Sequence, residues 1–414
     1  MTARVKAIVA GIVVVFVFGF VFIQKNDAAG EQYVQITKTA GLFDVIDGKE
    51  IRVGNANAKQ TFVLHSSDEK YYYIKFGNNI VYFDNRNGKT VSRMSAFIKR
   101  SDKGALKKVV ITKERASIYD STGWKKKLLA TVTINMRYPV LEKVKGWYKV
   151  DIGKRVGYIP ANAVTEDPGV PVLMYHHMLP NPERTPFAAN PMVVRVSAFK
   201  EQMDYLKKDG WRTITLAELE RYIEGKQNLT GRAVVITFDD GNMSTIHHAY
   251  PILKRNKQKA AQFVIGGRVK DQAKPYDEMT YQYVGHKEMK TSTDVYDYQL
   301  HSFSMHLRDG VTYEPYLVKK GYDDVLKDTT KGIEHVSLFD QQPERIKYYA
   351  YPFGQYDQEA IEAISAAGIT MAFTTAKGNV QIGDDPYTLK RQGVSPKHTM
   401  KDFVDKLYGT YKGR

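Results

Sequence analysis

The pattern of apolar and polar positions changes character three times along the chain. Residues Ala7 to Ile23 form an uncharged run, preceded by Arg4 and Lys6 and ended by Gln24, Lys25, Asn26 and Asp27. Its length is near the short end for a spanning helix and above the apolar core of most signal peptides. From about residue 33 to 165, short stretches of alternating polarity are broken by Gly, Asn and Asp. This is the period-two pattern of half-buried strands joined by turns. Glu166-Asp167-Pro168-Gly169 is a turn-rich joint, and beyond it continuous apolar runs at 170–175, 233–238 and 348–351 read as buried strands. Helical stretches fall between and after them, at 197–208, 216–224 and 358–367, the last closed by Gly368.

The β-patterned region repeats itself. VQITKTAGLF at 34–43 is echoed by VVITKERASIY at 109–119, and the segment 73–83 by 148–159, with nearly the same offset at both places. The repeat predicts two small β-barrel-like modules, about 33–100 and 107–165. Strand–helix alternation over the rest of the chain predicts an α/β architecture, a β/α barrel or a related open sheet, with its chemistry at the C-terminal ends of the strands. The expected plan is a cytoplasmic stub and membrane anchor (1–30), two all-β modules (31–105 and 106–166) and a barrel domain (167–414).

Composition narrows the chemistry. The chain has 414 residues with 43% hydrophobic and 12% aromatic content, which suits two or three globular domains. It has no cysteine, so disulfides and thiolate ligation are excluded and any metal must be held by His, Asp or Glu. The net charge of +16 will gather anionic polymers or lipid headgroups. The basic residues are scattered and form no nucleic-acid-reading element, so no nucleic acid partner is expected. Positive charge ahead of the first apolar run sets the N-terminus inside. The expectation is a single-pass protein of the cell membrane with extracellular C-terminal domains. The alternative is a secreted protein after signal cleavage, although Asp27, Ala28 and Ala29 make a poor cleavage site.

In 233–241, AVVITFDDG, an apolar run ends in two adjacent carboxylates and a glycine. Paired acids at a barrel mouth can divide labour, one holding a cation and the other acting as base. Successive strand residues point opposite ways, so convergence requires a bend, which Gly241 permits. An ordinary Asp-Gly turn is the simpler reading until 300–306, LHSFSMH, is considered. Its two histidines would diverge by about 140° on a straight helix, but a loop can bring them onto one ion. His301, His306 and an aspartate form a three-ligand set with an open position, the pattern of catalytic zinc.

These motifs, together with 350–354 (AYPFG), resemble the polysaccharide deacetylase family, the NodB-like carbohydrate esterases of family 4. The spacing of the histidines and 172–176 (VLMYH) resemble the branch acting on poly-N-acetylglucosamine. The resemblance covers about 170–400 and implies a distorted β/α barrel with a divalent metal, zinc being the first expectation. It implies Asp240, His301 and His306 as ligands and Asp239 as general base. By the order of the named branch, His176 becomes the acid that protonates the leaving amine. His177 is the fallback and His398 the positional rival, although Thr399 to Asp402 reads as a helix cap. Phe353 corresponds to the backbone N–H that meets the oxyanion. The arginine that usually orients the base is replaced by Ala350, with Arg391 as a substitute from another strand, and the family's Trp-containing fourth motif is not evident.

Further upstream, 146–150 (GWYKV) and 157–159 (GYI) resemble the bacterial SH3-like modules with which wall enzymes hold peptidoglycan. The first copy lacks the tryptophan, and wall binding and simple spacing both remain open for this region. The remaining histidines, His247, His248, His286 and His335, read as packing or surface residues. The tyrosine-rich stretch 276–298 reads equally as a sugar groove or as loop packing. The combined expectation is metal-dependent removal of N-acetyl groups from N-acetylglucosamine or N-acetylmuramic acid units of peptidoglycan or an exopolysaccharide. The rival is a catalytically weak, metal-binding wall-attachment protein, motivated by the missing arginine and the two β modules. A glycosidase fits adjacent carboxylates poorly.

Overall fold

The period-two segments form fourteen strands in two sets of seven. The first set is β1 Tyr33–Ile36, β2 Ala40–Ile46, β3 Lys49–Ala56, β4 Thr61–Ser67, β5 Tyr71–Phe76, β6 Asn79–Asp84 and β7 Gly88–Val91. The second is β8 Val109–Thr112, β9 Ala116–Tyr119, β10 Leu128–Val132, β11 Arg137–Val144, β12 Trp147–Asp151, β13 Val156–Pro160 and β14 Val164–Glu166. These strands belong to a computed structural model that describes residues 31–46, 48–77, 79–94 and 108–413. The expected membrane anchor lies outside the described residues. Among the described residues no helix is long and apolar enough to cross a membrane.

The two sets have the same pairing scheme. In each, the first strand pairs with the fourth and seventh, the second with the third and sixth, and the fifth with the fourth and sixth. Each also has a 3-10 turn before its last strand, at Asn85–Asn87 and Ala161–Ala163. The sets meet where β3 runs antiparallel to β10, with Asn55 opposite Thr131, its own counterpart in the second repeat. Asn57 N–H donates to Leu129 O at 2.9 Å and, symmetrically, Thr133 N–H to Val53 O at 3.1 Å. A local two-fold axis therefore passes through this seam. Gly54 is required there, since a Cβ would lie 2.3 Å from Thr131 O. The modules expected as separate barrels thus form one continuous sheet. They also share a core in which Val34, Phe62 and Phe76 belong to the same cluster as Ile118, Leu129 and Val150. A unit of about 60 residues buries only about 60% of its unfolded surface, and fusing the cores relieves that limit.

The joint to the next domain is fixed by buried polar contacts. The Arg137 side chain donates to Asp167 Oδ2 and Leu229 O, both at 2.8 Å, and Tyr222 OH donates to the same carboxylate oxygen at 3.0 Å. From the first repeat, Asp44 accepts from Thr230 Oγ1 at 3.0 Å. Both repeats therefore hold the loop before the central barrel strand.

The barrel domain contains β15 Val172–Tyr175, a small pair β16 His177–Leu179 and β17 Val193–Arg195, then β18 Trp211–Thr213, β19 Arg232–Phe238, β20 Ala260–Val264, β21 Tyr296–Leu300, β22 Tyr348–Ala350, β23 Met371–Lys377 and β24 Leu389–Gly393. All the pairings are parallel. The order β15-β24-β23-β22-β21-β20-β19 closes through β15–β19, and β18 joins the first half of β19. This is the distorted β/α barrel that the family resemblance implies, one of the two architectures left open by the strand–helix alternation. The helices Val196–Lys208, Leu216–Ile223 and Gln358–Ala366 form where the polarity pattern places them, and Thr399 caps Met400–Leu407 with Asp402 in a reciprocal box. Alternate strand residues sort to the two faces. Val172, Val235, Phe263, Phe373 and Leu389 share one cluster. Leu173, Ile236 and Phe238 pack outward on Phe199, Met203, Leu253 and Phe403 from the helices. Along β19 this parity carries Val235 and Thr237 inward and delivers Asp239 to the top of the barrel interior.

Candidate functional site

Asp239 follows the last residue of β19, and its N–H donates to Tyr175 O at 2.9 Å. Its carboxylate is buried, 2% exposed, against an Arg391 side chain that is fully buried. Arg391 grips it with a two-pronged pair, Nη1 to Oδ1 and Nη2 to Oδ2, both 2.7 Å. The guanidinium is itself held by Thr374 O at 2.9 Å. Arg391, the substitute for the arginine absent at Ala350, thus meets Asp239 through both carboxylate oxygens. His176 Nε2 lies 3.9 Å from Asp239 Oδ2. Burial opposes ionisation of Asp239, but Arg391 and the nearby His301 and His176 prevail and hold its carboxyl far below the usual carboxylate range.

Asp240 points elsewhere because the chain bends at that residue. Asp240 has φ 70° and Gly241 φ 74°, so the bend expected from glycine begins one residue earlier. Asp240 Oδ1 lies 3.6 Å from His301 Nε2 and 3.4 Å from His306 Nε2. One ligand atom from each of the three residues falls within 4.8 Å of the others. His301 Nδ1 is 2.6 Å from Ala350 O, so the ring donates there and leaves Nε2 free to act as a ligand. Burial, then the neighbouring His306, pushes His301 down to about 4, so it is neutral at physiological pH. A carboxylate and two imidazoles suit a divalent ion such as zinc.

The loop between the two histidines is irregular rather than helical, which resolves their spacing. Asp328, from the helix Tyr322–Val336, accepts from Phe303 N–H at 2.8 Å and Ser304 N–H at 2.9 Å, and so fixes the loop. Ser302 has φ 62° and Phe353 φ 58°. With Asp240, these make three non-glycine residues in left-handed backbone around one site, each costing about 1–3 kcal/mol. The Phe353 ring lies 4.5 Å from that of His306, with the Arg308 guanidinium 4.2 Å from its centroid on the other contact.

Two positioning residues were not apparent from the motifs, Asp328 and Tyr281. Tyr281 OH donates to Asp240 Oδ2 at 2.8 Å, which leaves Oδ1 facing the histidines. Its ring stacks on buried His177 at 5.3 Å, so His177 forms part of the wall that holds it. Burial, then Asp240, holds the Tyr281 hydroxyl in its protonated, donating form. Replacing Tyr281 with Phe keeps the stack and removes the hydrogen bond. Zinc affinity, read by competition with a chromogenic chelator, should fall about tenfold with thermal stability nearly unchanged. The other tyrosines of this stretch mostly pack, since Tyr276 stacks on His247 and Tyr296 and Tyr298 are buried. His286 and His335 bond to backbone carbonyls, as packing residues do. His398 accepts from Ser395 N–H and packs on Tyr411.

The sequence matches the polysaccharide deacetylase family over residues 226–372. It is 28% identical to YxkH of Bacillus subtilis over 250 residues, 60% of this chain and 79% of that protein. It is 27% identical to the poly-beta-1,6-N-acetyl-D-glucosamine N-deacetylase of Staphylococcus aureus over 204 residues, 49% of this chain and 68% of that one. The solved structure of IcaB from Ammonifex degensii aligns at 26% identity and a TM-score of 0.49, over 59% of this chain and 97% of that one. The family match spans Asp239, Asp240, His301, His306 and Phe353, and with the two sequence relatives and the three-ligand cluster it gives the activity as polysaccharide deacetylation, the hydrolysis of an amide bond.

Proposed function

We propose that the protein removes acetyl groups from N-acetylglucosamine units of a linear polysaccharide outside the cell, with poly-N-acetylglucosamine ahead of peptidoglycan as the polymer. The observation that carries this reading is the division of the two adjacent acids, Asp239 clamped by Arg391 and Asp240 turned toward two histidines. The Staphylococcus aureus relative named for that polymer supports the choice of substrate. The N-terminal apolar run supports a membrane-anchored, outward-facing enzyme, and the Trp147-Tyr148 and Gly157-Tyr158-Ile159 segments support an SH3-like character for the β repeats.

Asp240, His301 and His306 would hold a divalent ion, which supplies Lewis-acid polarisation of the acetyl carbonyl. Asp239 takes a proton from the attacking water as the new C–O bond forms. Arg391 keeps that carboxylate ionised and oriented until then. The Phe353 N–H would meet the oxygen that gains charge. His176 gives its proton to the sugar nitrogen as the C–N bond breaks, leaving acetate and a free amine. The Arg391–Asp239 pair weakens one motive for a catalytically weak wall-attachment protein, the absent arginine, while the other motive, the β repeats, bears on attachment rather than on catalysis.

Acetate release from poly-N-acetylglucosamine, N-acetylated chito-oligosaccharides and peptidoglycan tests the reading. Release should disappear with a chelator and return with zinc, and the preferred substrate identifies the polymer. Zinc binding without release from any of the three would overturn it. His176→Ala should slow release about a hundredfold while zinc affinity holds, and His398→Ala should leave the rate within about twofold, as expected of a surface change away from the chemistry. The reverse order would move the acid role to His398.

A further inference from the structure

The positive charge of this protein is not spread evenly. Residues 31–166 carry 25 lysines and arginines against 13 aspartates and glutamates, a net +12. Residues 167–414 carry 33 against 31, a net +2. The β repeats, about a third of the chain, hold most of the field that will attract a partner.

Within the repeats, one surface adds aromatic rings to that charge. In the first repeat β2 ends at Ile46 and β3 begins at Lys49, whereas the second has a longer loop, 120–127, between β9 and β10. The loop reads DSTGWKKK. Trp124 is 88% exposed, which is costly for so large an apolar group unless something covers it. Lys125 lies over its ring at 4.8 Å. Lys126 reaches the rings of Tyr119 and Trp147 at 5.4 and 5.9 Å, and those two rings meet edge to face at 5.7 Å. Among the described residues, Lys125, Lys126 and Lys127 have no carboxylate partner. The nearest acid in sequence, Asp120, is occupied in accepting the Lys127 N–H at 2.7 Å.

The first repeat provides an internal contrast. At the offset that places Asn55 opposite Thr131, the counterparts of Tyr119 and Trp147 are Phe43 and Tyr71, and the counterparts of 124–127 are Gly48, Lys49, Glu50 and Ile51. There Glu50, the counterpart of Lys126, accepts the hydroxyl of Tyr82 at 2.7 Å, so a carboxylate stands where the second repeat offers an ammonium group. The first repeat sets one cation over a ring, Lys70 on Tyr71 at 5.0 Å, whereas the second sets Lys125 and Lys126 over the three rings of Trp124, Tyr119 and Trp147.

We propose that the Tyr119–Trp124–Trp147 face of the second repeat, with Lys125, Lys126 and Lys127, docks a linear anionic carbohydrate polymer and so holds the deacetylase domain against a polyanion-rich surface. Ring faces take the apolar faces of sugars, and the ammonium groups take the polymer's charges. The proposal concerns the β region and stands whether or not the substrate assignment above holds.

The test is binding of the full-length chain to immobilised alginate, with neutral dextran and duplex DNA as comparison surfaces, across a salt series. The triple variant Lys125→Ala, Lys126→Ala, Lys127→Ala should lose at least about tenfold in affinity for alginate, and its salt slope should shrink by about 2, three charges at roughly 0.7 each. Trp124→Ala should lose about threefold, within the range for one exposed cation–ring contact, with the salt slope kept. A charge-matched control, Lys207→Ala, Lys208→Ala, Lys290→Ala, should bind as wild type does. All variants should melt at the wild-type temperature, which shows that they are folded. Equal alginate binding by the loop and control triples would overturn the site. Equal binding to dextran would overturn the role of charge, and tighter binding to DNA than to alginate would overturn the carbohydrate partner.

Discussion

Asparagine in place of Asp239 should cut acetate release by about a thousandfold or more while zinc affinity stays close to wild type. The two readouts separate because the adjacent acids are separated. Asp239 points into the barrel and is bonded through both oxygens to Arg391, whereas Asp240 turns through left-handed backbone to face His301 and His306. Asparagine keeps the size of the side chain but cannot accept a proton from water. It also leaves Arg391 as a buried cation facing a neutral amide, which costs about 3–5 kcal/mol when one partner of a buried pair is lost. The variant should therefore melt earlier. Acetate assay, zinc titration and melting on the same preparation check all three outcomes. Full turnover in the variant would remove Asp239 from the base role. Loss of zinc binding in a folded variant would make it a ligand instead.

How much of this was legible in the sequence depended on sequence distance. The Asp239-Asp240-Gly241 run and the histidines 301 and 306 are local signals, and the structure brings them to one place. The helices at 197–208 and 358–367 were readable because polarity alone fixes a buried face. Tyr281 was not readable, because its contact with Asp240 spans 41 residues and depends on how a loop crosses the barrel mouth. Asp328 is hidden in the same way. It reads as one more charge on an amphipathic helix, yet it is buried and pins the loop between the histidines. Arg391 lies 152 residues from Asp239, so it was named only as a substitute for the arginine missing at Ala350, and nothing in its own strand, LKRQG, sets it against that acid. The fused core of the β repeats was hidden for another reason. Period-two alternation tells which face of a strand is buried, but not which sheet the strand joins, and here β3 pairs with its neighbour's β10.

Arg391→Met should change both stability and the pH profile. Methionine fills part of the space of the guanidinium stem, so the loss is mainly of charge and hydrogen bonds. At neutral pH the variant should be less stable by about 3–5 kcal/mol, because Asp239 becomes a buried, unpaired carboxylate. The direction with pH follows from linkage. In wild type the folded carboxyl titrates below its unfolded value of about 3.9. Its contribution is therefore present above that value and lost only as pH falls through the lower, folded one. Without Arg391, burial is no longer outweighed, and the folded carboxyl titrates above its unfolded value. Its ionisation then costs stability as pH rises through that higher value. The stability gap between wild type and variant should narrow from pH 7 toward pH 4, and the acidic limb of the variant's activity profile should move to higher pH. Arg391→Lys keeps a charge but loses the fork, so it should fall between the two. Denaturant melts and acetate release across that pH range provide the check. A gap that stays constant with pH, or an acidic limb that does not move, would mean that Arg391 supports the barrel without tuning the acid beside it.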